Sequence, residues 1–266
     1  MTHSETGVRR EPSVLTAQFT AFLTALQFLT VAPPFIRRLF TPRELGRAVG
    51  YYPLVGILLG AILLGASTLL AQVFPPQVNA ALVLVLWVLL SGALHLDGFL
   101  DACDGLLGGF TPESRLNIMR DERVGAFAAT GGILLLLVKF ASLSALSAPG
   151  FVPQRAALLL APALGRWGMA LAIVAFPYAR PQGLGREMKD HATWRQALLA
   201  SVIALAAAWL AAGWWGWLAA AGAVLVTLGG AWFTLRRIPG LTGDIYGALN
   251  ELVETAVLLF FTAGLF

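Results

Sequence analysis

Long runs of apolar residues, separated by short polar or proline-containing segments, fill most of this chain. Each run approaches the roughly 20 residues that a helix needs to cross a bilayer. The predicted spans cover residues 48–72, 79–97, 126–147, 156–176, 196–212, 214–234 and 250–266. The pattern therefore predicts an all-α, polytopic membrane bundle of about seven transmembrane helices. The connection between the fifth and sixth runs, around residues 213–216, is very tight, which leaves open whether both cross fully or form a helical hairpin.

The first 35 residues follow a different pattern. Residues 1–16 form a polar tail, and residues 17–35 are two-faced. The apolar face carries Phe19, Phe22, Leu23, Leu26 and Leu29, and the polar face carries Thr20, Thr24 and Gln27. This spacing predicts an amphipathic helix in the membrane interface, ahead of a bundle at 36–266. The alternative is a signal peptide charged by Arg9 and Arg10, but the interleaved polar residues and the double proline at 33–34 disfavour it.

Composition supports a lipid environment for one integral-membrane domain, 1–266. The chain is 58% hydrophobic and 12% charged, whereas soluble domains are about half apolar and about a quarter charged. The net charge of +4 does not require nucleic acid, because cytoplasmic loops of membrane proteins also carry excess Lys and Arg. The single cysteine, Cys103, excludes an intrachain disulfide framework.

Basic residues predict the orientation of the bundle. Four loops, at 36–47, 98–125, 178–195 and 235–249, carry Lys or Arg, while the other three loops together hold only Arg155. All four basic loops lie on one side if the first span begins in the cytoplasm. We therefore expect a bacterial inner-membrane protein with its N-terminus in the cytoplasm and its C-terminus outside.

An acidic segment follows the second apolar run. Asp97, Asp101 and Asp104 recur at i, i+4 and i+7, so a helix would project all three carboxylates from one face. Such crowded like charges need compensation, and carboxylate oxygens are preferred ligands of Mg²⁺. A solvated acidic loop is the alternative, but Asp97 directly continues the apolar run and ionisable groups at membrane depth are usually functional. His95 would point away from this face, so an orienting hydrogen bond and metal ligation both remain open.

A second acidic group opens the last predicted span. Asp244, Glu251 and Glu254 would align along one side of a helix on the same membrane face as the first group. Asp244 and Glu251 are therefore candidate metal ligands, and two converging acidic groups would make a dinuclear site feasible. Helix capping is the alternative role for Asp244.

Candidate phosphate-binding cations accompany these acids. Arginine forks match phosphate oxygens, and the candidates are Arg120, Arg123, Arg166, Arg180 and Lys139. Arg120 and Arg123 could instead be ordinary anchors at the membrane surface, and Lys139 could snorkel or pair with an acid. The chain has no Walker phosphate loop and no metal-binding Cys/His cluster. Attack by a hydroxyl on a metal-held phosphate needs only positioning and charge neutralisation, which these residues could supply.

Several motifs in this order resemble the adenosylcobinamide-GDP ribazoletransferase family, also called cobalamin (5′-phosphate) synthases. They are Tyr52-Pro53-Leu54-Val55-Gly56, His95-Leu96-Asp97-Gly98 with Asp101 and Asp104-Gly105, Met119-Arg120-Asp121, Arg123-Val124-Gly125, Ala179-Arg180-Pro181, and Thr242-Gly243-Asp244 before Glu251. The resemblance covers nearly the whole chain. Glu122 departs from the small polar residue expected at its position.

The resemblance implies a Mg²⁺-dependent transfer in cobalamin biosynthesis. A ribose hydroxyl of α-ribazole, or of its 5′-phosphate, would attack the cobinamide-side phosphate of adenosylcobinamide-GDP and release GMP. Asp97, Asp101 and Asp104 would hold the metal and the diphosphate, one acid would take the hydroxyl proton, and Arg120, Arg123 or Arg180 would steady phosphate charge. The implied partners are these two substrates and the lipid bilayer, with a homo-oligomer or other cobalamin-assembly enzymes as further candidates.

Two other classes compete with this reading. A cation-coupled transporter could use intramembrane acids to bind Na⁺ or H⁺, but the chain shows no inverted repeat and its motifs cluster on one membrane face. A structural subunit of a membrane assembly would not need three aspartates in register. The sequence therefore favours a membrane phosphotransferase.

Overall fold

The computed structural model describes residues 14–147 and 153–263, and helices account for most of them. The helices are α1 (Val14–Leu29), α2 (Pro42–Ala48), α3 (Tyr52–Leu70), α4 (Pro76–Leu90), α5 (Leu94–Gly108), α6 (Pro112–Ile118), α7 (Ala126–Leu146), α8 (Pro153–Ala175), α9 (Leu184–His191), α10 (Trp194–Leu235) and α11 (Gly243–Thr262). Across this part of the chain no strand forms, and one isolated parallel bridge joins Tyr178 to Leu241. The predicted all-α class is confirmed.

The predicted amphipathic N-terminal helix is α1. It begins three residues earlier than predicted, at Val14, and ends at Leu29, so residues 30–35 lie beyond it. Ala21 and Ala25 are buried on one side while Leu15 and Phe19 remain exposed on the other. Phe19 of the predicted apolar face is therefore exposed, whereas Thr24 of the predicted polar face is buried, so α1 contacts the bundle partly through its predicted polar face. Most of the predicted polar tail, residues 1–13, lies outside the described residues.

Five helical segments in the described ranges are long and apolar enough to cross a membrane, so this is a multi-pass membrane protein. They are 42–70, which joins α2 and α3 through a short 3-10 turn, and then α7, residues 154–175 of α8, α10 and α11. The bent pair α4 and α5 would make six. The predicted count of seven is not confirmed.

The second predicted span, 79–97, is wrong at its C-terminal end. The helix α4 stops at Leu90, and α5 leaves it at an angle of 89°. Gly92 and Ala93 both adopt left-handed backbone, with φ of 60° and 55°, which breaks the helix. Residues 94–108, most of which we expected in a loop, therefore form the separate helix α5.

The helix α10 contains the hairpin that the short connection at 213–216 suggested. Gly213 has φ 55° and ψ −130°, which ends one helical arm and starts the next. The rings of Trp209 and Trp217 lie 4.9 Å apart, and the Trp217 indole donates to the Leu205 carbonyl at 3.2 Å. A Cβ on Gly216 would overlap the carbonyl of Ala208. The chain thus reverses direction at Gly213, and glycine lets the two arms touch.

The most deeply buried span is α8, which packs against α3, α10 and α11. Gly56 and Gly60 of α3 lie directly on the α8 backbone at Pro162 and Leu158, so an added Cβ would not fit at either position. This spacing of two glycines lets helix backbones approach closely without the hydrophobic driving force of water. The closely packed helices α3 and α8 therefore form the centre of the bundle, and α5, α7 and α11 are arranged around them.

The four basic loops meet at one end of the bundle. Gly46 of α2 lies against His191 of α9, Arg115 donates to the Arg237 carbonyl at 3.1 Å, and Arg180 donates to the Met119 carbonyl at 3.5 Å. These contacts join all four basic loops. Their meeting agrees with the common side that the charge pattern predicted.

Candidate active site

The helix α5 carries all three aspartates of the acidic motif. Asp97 is exposed, Asp101 and Asp104 are half-buried, and Ala102 and Leu106 on the other side of the helix are buried. Their spacing on one continuous helix places the carboxylates along a single side. Because the bend at 91–93 separates α5 from α4, this acidic side does not continue a straight membrane span.

The helix α11 brings Asp244 to this acidic side. A Cβ added to Gly98 would lie 2.9 Å from the Asp244 carbonyl, and one added to Gly247 would lie 3.0 Å from the His95 carbonyl. The two helices therefore cross backbone to backbone, and glycine at these positions permits the approach. Thr242 is the N-cap of α11 and accepts from the Ile245 amide at 3.3 Å. Thr242, and not Asp244, caps this helix.

Arg180 is the cation bonded to this acidic group. Its Nη2 donates to Asp244 Oδ2 at 2.8 Å, and both side chains are largely buried. The position of Arg180 is fixed by the preceding bridge, in which Ala179 donates to the Leu241 carbonyl and the Leu241 amide donates to the Pro177 carbonyl, each at 2.8 Å. Across the described part of the chain, Arg180 is the one arginine that pairs with this group of four carboxylates. This imbalance favours a further cation at the site.

Asp104 has a role that the sequence did not suggest. Its Oδ2 accepts from the Gly125 amide at 2.6 Å and its Oδ1 accepts from the Ala128 amide at 2.8 Å. The carboxylate therefore caps the N-terminus of α7 from the neighbouring helix, where the helix dipole favours negative charge. A Cβ on Gly125 would lie 2.7 Å from this carboxylate, so glycine is needed there. Further lone pairs remain on Asp104 for a second ligand.

The donor chemistry at this site fits Mg²⁺ that is shared with a substrate. In the described residues no three His, Cys, Asp or Glu side chains are close enough together to form a protein-made metal cage. Magnesium, however, usually keeps several waters and binds through one or two carboxylates plus substrate phosphates. The exposed Asp97 and half-buried Asp101, on successive turns of α5, supply such carboxylates. The metal role of these residues stays a prediction.

His95 is buried and faces a cavity of about 180 Å³ next to the acidic side. Its Nε2 has no hydrogen-bond partner among the described residues. Asp97, Asp244 and Tyr246 also line this cavity. Tyr246 was not among the sequence candidates, because a residue two positions after Asp244 projects from nearly the opposite side of a helix.

Lys139, Arg166 and Glu251 lie together in a different place. Lys139 forms salt bridges with both Glu251 and Glu254, and Arg166 pairs with Glu254 at 3.0 Å. These four side chains are buried between α7, α8 and α11, and we call them the buried ion network. The structure therefore does not bring Glu251 to the aspartates, and of the two alternatives for Lys139, pairing with an acid is the one observed.

Arg120 and Arg123 lie in the exposed segment between α6 and α7. The Arg123 side chain is 88% exposed and pairs with Asp121 at 2.7 Å. This guanidinium lowers the pKa of Asp121 to about 2, so the pair is charged on both sides at neutral pH. The segment ends at Gly125, whose amide donates to the Asp104 carboxylate. This hydrogen bond places the segment beside the acidic side of α5. Phosphate binding by either arginine stays a prediction.

Comparison with known proteins gives one consistent result. The family model described as cobalamin-5-phosphate synthase matches residues 21–262. The chain is 44% identical to adenosylcobinamide-GDP ribazoletransferase of Pseudomonas putida strain F1, covering 92% of this chain and 99% of that protein. It is 45% identical to the enzyme of that name from Pseudomonas syringae pv. syringae, over 90% and 97% of the two chains. The Stutzerimonas stutzeri enzyme is 43% identical over 89% and 95%. No solved structure matches the chain.

Proposed function

This chain belongs to the cobalamin-5-phosphate synthase family, and we propose that it transfers the adenosylcobinamide-phosphate group of adenosylcobinamide-GDP to α-ribazole or its 5′-phosphate. GMP is released, and adenosylcobalamin or its 5′-phosphate is formed. The observation that carries this proposal is identity of about 44% over nearly the full length to relatives named for this reaction. The acidic side of α5 supports it, because phosphoryl transfer requires charge neutralisation at one place.

The proposed reaction is a direct displacement at phosphorus. A ribose hydroxyl oxygen bonds to the cobinamide-side phosphorus, the bond from that phosphorus to the bridging oxygen breaks, and its electron pair leaves with GMP. The hydroxyl proton goes to a carboxylate of the α5 and α11 acids. Among the described residues, Asp104 accepts from the Gly125 and Ala128 amides and Asp244 accepts from Arg180. The side chains of Asp97 and Asp101 have no such partner there and remain available for ligand and proton.

Mg²⁺ would be held by Asp97 and Asp101, with Asp104 and Asp244 as further oxygen donors, and would neutralise the diphosphate. The protein itself holds the phosphates with Arg180, whose Nε is buried without a hydrogen-bond partner in the described part of the chain. A planar guanidinium can keep its bond to Asp244 while presenting another edge to a phosphate oxygen. Arg120 and Arg123 flank the site and add positive charge as the diphosphate enters.

We assign the end of the bundle where the basic loops meet to the cytoplasmic side of the bacterial inner membrane. The contacts between Gly46 and His191, and between Arg115 and Arg237, gather basic loops at the end that also carries Asp244 and Arg180. Cytoplasmic loops carry excess Lys and Arg. The active site would then open to cytoplasmic nucleotide substrates.

The test is GMP release from adenosylcobinamide-GDP plus α-ribazole by detergent-purified protein, with and without Mg²⁺. We expect metal-dependent release that Asp101→Asn abolishes. Asp190→Asn is the matched control, because Asp190 is an exposed acid paired with Arg186 on α9. If folded wild-type protein releases no GMP with both substrates present, the transferase assignment fails and a cation-coupled transporter becomes the leading alternative.

A further inference from the structure

The cavity beside the acidic side has one exposed polar end and a buried apolar end. Asp97 and Asp244 lie at the polar end. Tyr52, Met169, Ile173 and Met188 also line the cavity and are all at least 95% buried. Its volume of about 180 Å³ suits a small aromatic group, since a cavity of about 150 Å³ in another protein binds benzene. A corrin ring is far too large for this space.

Two buried polar atoms of residues that line this cavity have no bonding partner among the described residues. The Tyr246 hydroxyl and His95 Nε2 are both buried and unpaired among the described residues. The Tyr52 hydroxyl, by contrast, donates to the Met188 sulfur at 3.4 Å. Buried polar atoms are normally hydrogen-bonded, and leaving one unpaired is costly. A mainly apolar ligand with one or two polar atoms, bound in this cavity, would supply the missing partner.

We propose that this cavity binds the dimethylbenzimidazole base of α-ribazole, an inference that rests on the proposed function. That base is a flat, methylated, fused ring whose free imine nitrogen accepts one hydrogen bond, and the Tyr246 hydroxyl donates it. The sulfurs of Met169 and Met188 make favourable contacts with aromatic rings. Guanine, the other base in the reaction, would carry several more polar edge groups into the apolar end.

Seating the base at the apolar end fixes the direction of the nucleoside. Its ribose then lies towards Asp97 and Asp244, at the end of the cavity where the carboxylates and Arg180 meet. Holding the attacking hydroxyl in this way makes the displacement effectively intramolecular. The base cavity is thus a specificity and positioning site adjoining the metal and phosphate site.

The experiment measures KM for each substrate separately and the binding of α-ribazole alone by equilibrium dialysis. We expect Tyr246→Phe to raise KM for α-ribazole about three- to tenfold, the cost of one hydrogen bond, without changing KM for adenosylcobinamide-GDP. Ile173→Phe fills the cavity and should abolish α-ribazole binding. Tyr51→Phe is the matched control, because the Tyr51 hydroxyl bonds Gln18 outside the cavity; its KM values should equal those of wild type.

The outcomes separate this inference from the proposed function. If Tyr246→Phe and Ile173→Phe instead raise KM for adenosylcobinamide-GDP, or alter neither KM, the base assignment is overturned while the transferase stands. If wild-type protein releases no GMP but binds α-ribazole, and Ile173→Phe removes that binding, the base cavity stands and the reaction assignment fails. Wild-type protein that does not bind α-ribazole overturns the base cavity.

Discussion

Asp97 and Asp104 stand on the same side of α5 but are held differently. Asp104 accepts two backbone hydrogen bonds at the start of α7, whereas Asp97 is exposed and lines the cavity. One carboxylate therefore connects two helices, and the other is free for ligands. Substitutions of these two aspartates should therefore have different effects on stability and activity, although the sequence motif makes the two residues look equivalent.

We expect Asp104→Ala to destabilise the protein by about 1–3 kcal/mol, because two amide groups at the start of α7 lose their acceptor. Asp97→Ala should change the free energy of unfolding by less than about 0.5 kcal/mol while abolishing GMP release. Denaturant unfolding in detergent micelles, alongside the GMP assay, measures both quantities. Equal destabilisation by the two variants would contradict the capping role of Asp104.

Glycine lets the helices α5 and α11 approach each other closely at the candidate site. The crossing of α5 and α11 depends on Gly98 and Gly247, which lie against backbone atoms of the opposite helix. This crossing sets the position of Asp244 relative to the α5 aspartates. An added methyl group has no flexible side chain to displace here, so the helices themselves must move.

Gly98→Ala should therefore separate α5 from α11 and lower GMP release by up to about 100-fold, since small displacements of reacting groups are costly. Gly222→Ala in α10 is the control, because an added Cβ there meets nothing within 4 Å. The rate of GMP release by each folded variant is the measurement. Full activity in Gly98→Ala would show that the crossing does not position the site.

The buried ion network connects three helices by charge. Lys139 of α7 and Arg166 of α8 both bond to Glu254 of α11, and Asn250 also donates to Glu254 at 2.9 Å. Two cations and two carboxylates compensate each other, so removing one partner leaves buried charge unpaired. This arrangement favours a structural role for the network, which is to hold α7, α8 and α11 together.

We expect Glu254→Gln to destabilise the protein by about 3–5 kcal/mol, because Arg166 and Lys139 lose their shared partner. Adding Lys139→Met should restore part of that loss, so the double variant should be less destabilised than the sum of the single changes. Unfolding in detergent gives the three free energies. Strict additivity would show that these residues do not interact.

At the scale of the whole molecule, the four basic loops share one end and the turn of the α10 hairpin belongs to the other. The start of α10 lies near the 3-10 turn between α2 and α3, since Gly50 of that turn faces Leu199 and Gln196. The ring of Trp215, just after the hairpin turn, lies 6.5 Å from the ring of Phe260 near the end of α11. The two ends of the bundle can therefore be probed at single exposed positions.

We expect opposite labelling of the two ends of the first α10 arm. In a Cys103→Ala background, Arg195→Cys should react with a membrane-impermeant maleimide only in inside-out vesicles, and Trp214→Cys only in intact spheroplasts. Both side chains are exposed, so access to reagent decides the result. Reaction of both positions from one side would overturn the proposed orientation.

The amino-acid sequence by itself determined the helical class, the N-terminal helix α1, the tight connection at residues 213–216 and the common helix face of Asp97, Asp101 and Asp104. Each of these depends on side-chain spacing or backbone preference within a few residues. The family also followed from local motifs, and the match over residues 21–262 confirms it.

Only the tertiary structure decided how the charges are divided between two places. The bend at 91–93 depends on left-handed backbone at Ala93, a residue type that does not signal it. Lys139 joins Glu251 across 112 residues and Arg180 joins Asp244 across 64. Sequence spacing aligned Glu251 with Asp244, but a buried charge takes the nearest opposite charge that packing supplies. For that reason Asp244 lies beside the α5 aspartates, whereas Glu251 and Glu254 belong to the buried ion network.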